Sequence, residues 1–148
     1  NAAREPEIVD LVKMLKNMGA QIEGEGTSEI VIHGVDSLKS TNHKVIGDRV
    51  VTGTYLGAFL ASGGAGIIKG INPNHLPMEL KKFQEMGAVL NISDDSIAIE
   101  SSKEISSIEI STLPFPGIAT DLQPIFGACL LKANGTSTIK AKQSRNHS

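Results

Sequence analysis

The chain has 148 residues, 40% of them hydrophobic and 20% charged, and a formal net charge of −2. That balance belongs to a globular chain and gives no support to binding of nucleic acid or an anionic membrane surface, and no apolar run reaches membrane-spanning length. The 15 glycines and the 3% aromatic content predict short elements joined by tight turns. The single Cys129 excludes an intrachain disulfide framework and suits a reducing compartment. A start at Asn1 rather than Met points to a processed or excised chain.

The first predicted element is a helix over residues 5–18. Ile8, Leu11, Val12, Leu15 and Met18 fall on one helical stripe. Pro6 suits its first turn, and Gly19 suits the left-handed position after its end. Two strands follow, the second marked by Ile30 and Ile32 alternating with Val31 and His33. A third strand is expected before Asp48, which opens the next helix. Residues 53–62 are apolar nearly all round, the mark of an interior helix. Gly53, Gly57, Ala58, Ala61 and Ser62 permit close packing there. Gly63-Gly64-Ala65-Gly66 follows a helix and precedes a strand, the reverse of a dinucleotide-binding turn, and no Lys-Ser/Thr follows it. It reads as a turn.

The order then repeats. "KMLKNMGAQIEGEGTSEIVIHG" from Lys13 parallels "LKKFQEMGAVLNISDDSIAIES" from Leu80. Each is a helix end, a Met-Gly-Ala and two strands, the second pair marked by Ile97 and Ile99. "DRVVTGTYLGAFLASGGAGIIKG" from Asp48 parallels "TDLQPIFGACLLKANGTSTIKAK" from Thr120. Each is an Asp, an apolar helix, a Gly-containing turn and a β-branched strand. A strand with Ile108 and Ile110 precedes the last helix, and Asn134-Gly135 marks a turn. The coarse order α, β-β, β, α, β, α, β-β, β, α, β predicts an α/β (α+β) protein of repeated units.

Few residues suit chemistry. Asp121 stands in "PFPGIATDLQPIF", residues 114–126. Pro124 marks a helix start, so Asp121 reads first as an N-cap. The Pro-rich approach and the neighbouring Thr120 and Gln123 also suit a carboxylate held to accept a hydroxyl proton. Asp48-Arg49 opens the equivalent helix, either as a cap with a solvated or paired Arg, or as an anion contact or an Asp–Arg pair that braces a site. Glu5 and Glu7 sit where the helix dipole favours acids. Cys129, among Phe126, Leu130 and Leu131, reads as a buried small apolar residue rather than a nucleophile. His33, His43, His75 and His147 show no metal-ligand spacing, and nothing calls for a metal or organic cofactor.

"NAAREPEIVDLVKMLKNMGAQIEGEGTSEIVIHGV", "GDRVVTGTYL", "TLPFPGIATDLQPIF" and "NGTSTIKA" resemble, in order and spacing, the UDP-N-acetylglucosamine 1-carboxyvinyltransferase family. The resemblance covers nearly the whole chain. The opening octapeptide separates it from the related 5-enolpyruvylshikimate-3-phosphate synthases. It implies an inside-out α/β barrel built of repeated βαβαββ units. Residues 1–44 would be the last unit of a first domain and 45–148 the first two units of a second, with a hinge near 44–48. It implies transfer of enolpyruvate from phosphoenolpyruvate to the 3'-hydroxyl of UDP-N-acetylglucosamine, in the bacterial cytoplasm, as the first committed step of peptidoglycan synthesis.

On this likeness Asp121 matches the general base at the sugar hydroxyl, with Thr120 beside it. Asp48 and Arg49 match an Asp-Arg near the hinge, and Gln143 a strand residue that contacts the nucleotide sugar. Glu5 and Glu7 match acids of the same segment. The chain departs from the family's pattern at Val51, where the family has Glu, at Ala119, where it has Pro, and at His147, where it has Arg. The family's N-terminal Lys, reactive-Cys loop and C-terminal arginines have no counterpart here, so the chain alone is expected to be inactive, with the remainder of the parent enzyme as its partner. The competing reading is a non-catalytic copy that keeps the fold as a binding or structural module.

Overall fold

The computed structural model describes residues 3–141. The chain divides between Ile46 and Gly47 into two compact units.

The first unit starts with helix α1, Pro6–Asn17, which has Pro6 in its first turn. Proline fits there because that backbone position has no intrahelical acceptor to reach. The helix stops where Gly19 takes φ 102°, a conformation that costs glycine little. Strands β1, Gln21–Glu23, and β2, Val31–His33, pair antiparallel, Ile22 opposite Ile32. Val12 and Ile22 are buried. His43 Nε2 lies 2.9 Å from Asp10 Oδ1 and ties the segment after β2 back to α1. The third strand expected before Asp48 does not form: residues 34–48 carry no helix or strand. That segment runs mostly exposed.

The second unit starts with α2, Arg49–Ser62, followed by β3, Ala65–Lys69. The αL residue Gly63 ends α2. Then come α3, Pro77–Glu85, and a hairpin of β4, Val89–Ser93, and β5, Ser96–Glu100. Strands β3, β5 and β4 make one antiparallel sheet in that spatial order, with Ile68 opposite Ile97 and Leu90 opposite Ile99. Two short strands follow, β6, Ile105–Ser106, and β7, Glu109–Thr112. A 3-10 turn, Thr120–Leu122, leads into α4, Gln123–Leu130, then β8, Ala133–Asn134, and β9, Thr138–Ala141. Strand β6 pairs parallel with β8, and β7 with β9.

The core forms between the helices and the inner faces of these strands. Leu56, Leu60, Leu80, Phe83, Ile97, Ile110, Leu122 and Phe126 are all buried. The Phe83 and Phe126 rings stack at 4.7 Å between centroids, a spacing typical of aromatic pairs. The two central helices touch through glycine. A Cβ on Gly53 would sit 2.7 Å from Leu122 Cδ1, and one on Gly57 would sit 2.5 Å from Ile125 Cγ2.

One expectation about α2 is corrected. Its Thr52, Gly53, Leu56, Gly57 and Leu60 face is buried, but Val51 is 50% and Tyr55 58% exposed. The helix is apolar all round, yet only one side is covered in this chain.

Candidate functional site

The candidate residues gather where the N-termini of α2 and α3 meet the segment from Pro114 to Asp121. Asp48 precedes α2 in an extended conformation, and its Oδ1 accepts hydrogen bonds from the amides of Val50 at 2.8 Å and Val51 at 3.0 Å. This carboxylate caps its own helix, satisfying donors that have no intrahelical acceptor. Arg49 is buried. Its guanidinium carbon lies 5.5 Å from the centroid of Phe115, within cation–π range.

Phe115 belongs to the proline-rich segment, and the Phe115–Pro116 bond is cis. The segment folds back on itself. The Leu113 amide donates to the Ile118 carbonyl at 3.1 Å, and the Gly117 amide to the Pro114 carbonyl at 2.8 Å. Ile118 and Leu122 are buried and pin the two ends of the turn that carries Thr120 and Asp121.

Thr120 and Asp121 themselves are exposed. The N-cap position of the 3-10 turn is Ala119, and that of α4 is Leu122. Neither end has a side-chain cap. Asp121 therefore does not cap the helix, which is the correction to its first reading. Among the described residues its carboxylate makes no hydrogen bond or ion pair. Gln123 opens α4 rather than flanking a cap.

The residue that sequence reasoning missed is Glu79. It lies in the first turn of α3 and is only 1% exposed. Its Oε1 accepts the Ala119 amide at 3.2 Å. Burial pushes its carboxyl above the usual glutamate range. Hydrogen bonds from its own backbone and from Ala119, and the nearby charge of Arg49, pull the other way. An acid in a first helical turn reads from sequence as an exposed partner of the helix dipole, and nothing local marks this one as buried.

The other candidates stand apart. Glu5 precedes α1 without a side-chain capping bond, and Glu7 lies exposed in its first turn. Gln143 and His147 lie outside the described residues. Cys129 is buried, its thiol donating to the Gly57 carbonyl oxygen at 3.3 Å, and burial raises its pKa. Among the described residues no three His, Cys, Asp or Glu side chains group to hold a metal.

The sequence model of EPSP synthase (3-phosphoshikimate 1-carboxyvinyltransferase) matches residues 1–147. Over 139 residues the chain is 45% identical to the UDP-N-acetylglucosamine 1-carboxyvinyltransferase of Thermotoga maritima. It is 46% identical over 139 residues to the enzyme of that name from Streptococcus pneumoniae. Each match takes in 94% of this chain and 33% of the relative, so the chain spans about a third of the length of these relatives. The fold is similar to that of the enolpyruvyl transferase NikO from Streptomyces tendae, with TM-score 0.78 and 23% identity over 97% of this chain and 35% of that one. It is more distantly similar to the EPSP synthase of Acinetobacter baumannii, with TM-score 0.51 and 20% identity over 94% of this chain and 33% of that one. These structural likenesses bear on the α/β architecture.

Proposed function

Since the chain belongs to the EPSP synthase (3-phosphoshikimate 1-carboxyvinyltransferase) family, we propose that it is a segment of an enolpyruvyl transferase acting on UDP-N-acetylglucosamine. The carrying observation is its identity of 45% over 94% of the chain to an enzyme named for that substrate. In this reading the 3'-hydroxyl of the sugar gives up its proton and adds to carbon 2 of phosphoenolpyruvate while carbon 3 takes a proton; phosphate then leaves carbon 2, carbon 3 loses a proton, and the carbon–carbon double bond re-forms. The product is an enolpyruvyl ether, the starting point of peptidoglycan synthesis in the cytoplasm.

Asp121 is the residue we assign to that hydroxyl. A general base must be open to the proton that it takes. The Asp121 carboxylate is exposed, makes no hydrogen bond or ion pair among the described residues, and is carried on a short turn fixed at both ends by Ile118 and Leu122. Thr120 beside it is exposed and supplies a hydroxyl for hydrogen bonding. Arg49, under Phe115, braces the approach to that turn rather than meeting substrate directly. Asp48 serves the site by fixing the start of α2. Gln143 is assigned to the nucleotide sugar on the likeness alone. Residues 44–48 are read as the crossing between two domains, close to the division between Ile46 and Gly47.

The test is phosphate release by the full-length protein from phosphoenolpyruvate and UDP-N-acetylglucosamine, beside Asp121→Asn. Turnover that falls by at least about 100-fold in the variant, with the fold intact, supports the assignment. No turnover in the parent protein would favour the reading of a non-catalytic module. An undiminished rate in the variant would remove Asp121 from the chemistry.

A further inference from the structure

We propose that Glu79 is the positioning residue for Asp121, holding the Ala119 amide so that the turn behind it presents the carboxylate in one direction. The role assigned to Asp121 rests on the transferase reading above. The tether itself rests on geometry.

Three observations carry it. First, burying a carboxyl group is costly unless the group is paired. Glu79 is 1% exposed, on a helix whose other buried positions, Leu80 and Phe83, are apolar. A side chain kept there against that cost has a specific partner, and Oε1 has one, the Ala119 amide at 3.2 Å. Second, the bonds that the proline-rich segment makes to itself are local. They run Leu113 to Ile118, Gly117 to Pro114 and Leu122 to Ala119. Such bonds shape the loop but do not fix it to the rest of the unit. The Glu79 bond comes from a different helix and reaches the residue two before Asp121. Third, the other titratable group whose charge acts on Glu79 is Arg49, which packs on Phe115 of the same segment. Glu79 and Arg49 thus grip the segment at two points, Ala119 and Phe115.

A carboxylate that must meet one hydroxyl is sensitive to small displacements, and an error of about 1 Å costs on the order of 100-fold in rate. Glu79 touches no substrate in this scheme. It acts through the backbone.

The test uses the full-length protein with Glu79→Leu, Glu79→Gln and, should the leucine variant fail to fold, Glu79→Ala. Gln keeps an oxygen for the Ala119 amide, whereas Leu and Ala do not. Two quantities are read, amide hydrogen exchange across residues 113–122 and steady-state kinetics. The tether predicts faster exchange in that segment for Leu or Ala, with the core of α3 and α4 unchanged. It also predicts a loss in kcat of about 10- to 100-fold, a KM for phosphoenolpyruvate within about twofold, and recovery of most of the loss in the Gln variant. Unchanged exchange at 113–122 overturns the proposal. So does a rise spread evenly over both helices, or a Gln variant as impaired as Leu. If the parent protein turns nothing over while the local exchange effect stands, the transferase reading falls and the tether survives.

Discussion

The Cys129 thiol donates a hydrogen bond to the Gly57 carbonyl oxygen at 3.3 Å, where α2 and α4 lie against each other without side chains between them on the α2 side. This contact makes the absence of a Cβ at Gly57 a packing requirement. The added methyl of Gly57→Ala would meet Ile125 Cγ2 at 2.5 Å and Cys129 Sγ at 3.4 Å. Overpacking of this kind costs about 1–3 kcal/mol, against a helix-propensity gain of about 1 kcal/mol. The variant should unfold at lower urea concentration. Gly127→Ala is the control. Its methyl meets Ile139 Cδ1 at an ordinary 3.7 Å, so it should be neutral or gain up to about 1 kcal/mol.

The same burial predicts the reactivity of Cys129. Its thiol is covered and its pKa is raised by loss of solvent, so the nucleophilic thiolate is scarce. Labelling by a maleimide should proceed at the rate of unfolding and accelerate with denaturant. Fast labelling of the native protein would contradict the packing of α4 on α2.

Asp48→Ala removes an acceptor from two amides, those of Val50 and Val51. Loss of a helix cap costs about 0.5–2 kcal/mol. Asp48→Asn, which keeps the oxygen, should recover most of it. Should Asp48→Ala leave the denaturation midpoint in place while abolishing turnover, the residue serves substrate rather than its helix.

Glu79 predicts a pH dependence of stability. Burial raises its carboxyl above the ordinary value of 4.5, with its own backbone hydrogen bond, the Ala119 amide and Arg49 opposing. Above that value the unfolded chain has released a proton that the folded chain still holds. The folded state then binds more protons than the unfolded, so stability falls as pH rises through the window between the two. Glu79→Gln cannot ionise. Its stability relative to the parent should improve as pH goes from about 4 to about 7. A difference that moves the other way would mean that the ionised form is the one the fold prefers.

Exposed apolar groups predict association of this chain by itself. Val51 and Tyr55 on α2, Ile67 and Val89 on the outer sheet face, and Leu131 after α4 are all open to solvent. Patches of this kind mark surfaces that are covered in an assembly. Light scattering of the isolated chain should give a mass above 15.6 kDa that grows with concentration. A sharp monomer peak would count against it.

Much of the architecture was legible where the signal is local. The stripe from Ile8 to Met18 became α1, and Gly19 took the positive φ expected after a helix end. The alternation around Ile97 and Ile99 became β5. What failed depends on partners distant in sequence. The segment from 34 to 48 was expected to hold a strand, but Val35, Val45 and Ile46 are spread among Gly, Asp, Ser, Asn and Lys, and no strand of the described residues pairs with it. Asp121 was read first as a cap because Asp before a proline-marked helix usually is one. The intervening 3-10 turn moved the helix start to Gln123, beyond its reach. Glu79 was invisible because its hydrogen-bond partner, the Ala119 amide, lies 40 positions further on, and periodicity within α3 does not register that.

The order of strands in the three-stranded sheet, β3-β5-β4, sets a schedule for the growing chain. Among the described residues strand β3 pairs with β5 alone, with Ala65 opposite Glu100. Until Glu100 has left the ribosome, β3 has an unpaired ladder on both sides. At ordinary synthesis speeds that wait lasts on the order of seconds. The β4–β5 hairpin closes on itself within microseconds once made. It then reaches β3 as a finished template. Translation speed across α3 thus governs how long an apolar, open-edged strand stays available to the wrong neighbour.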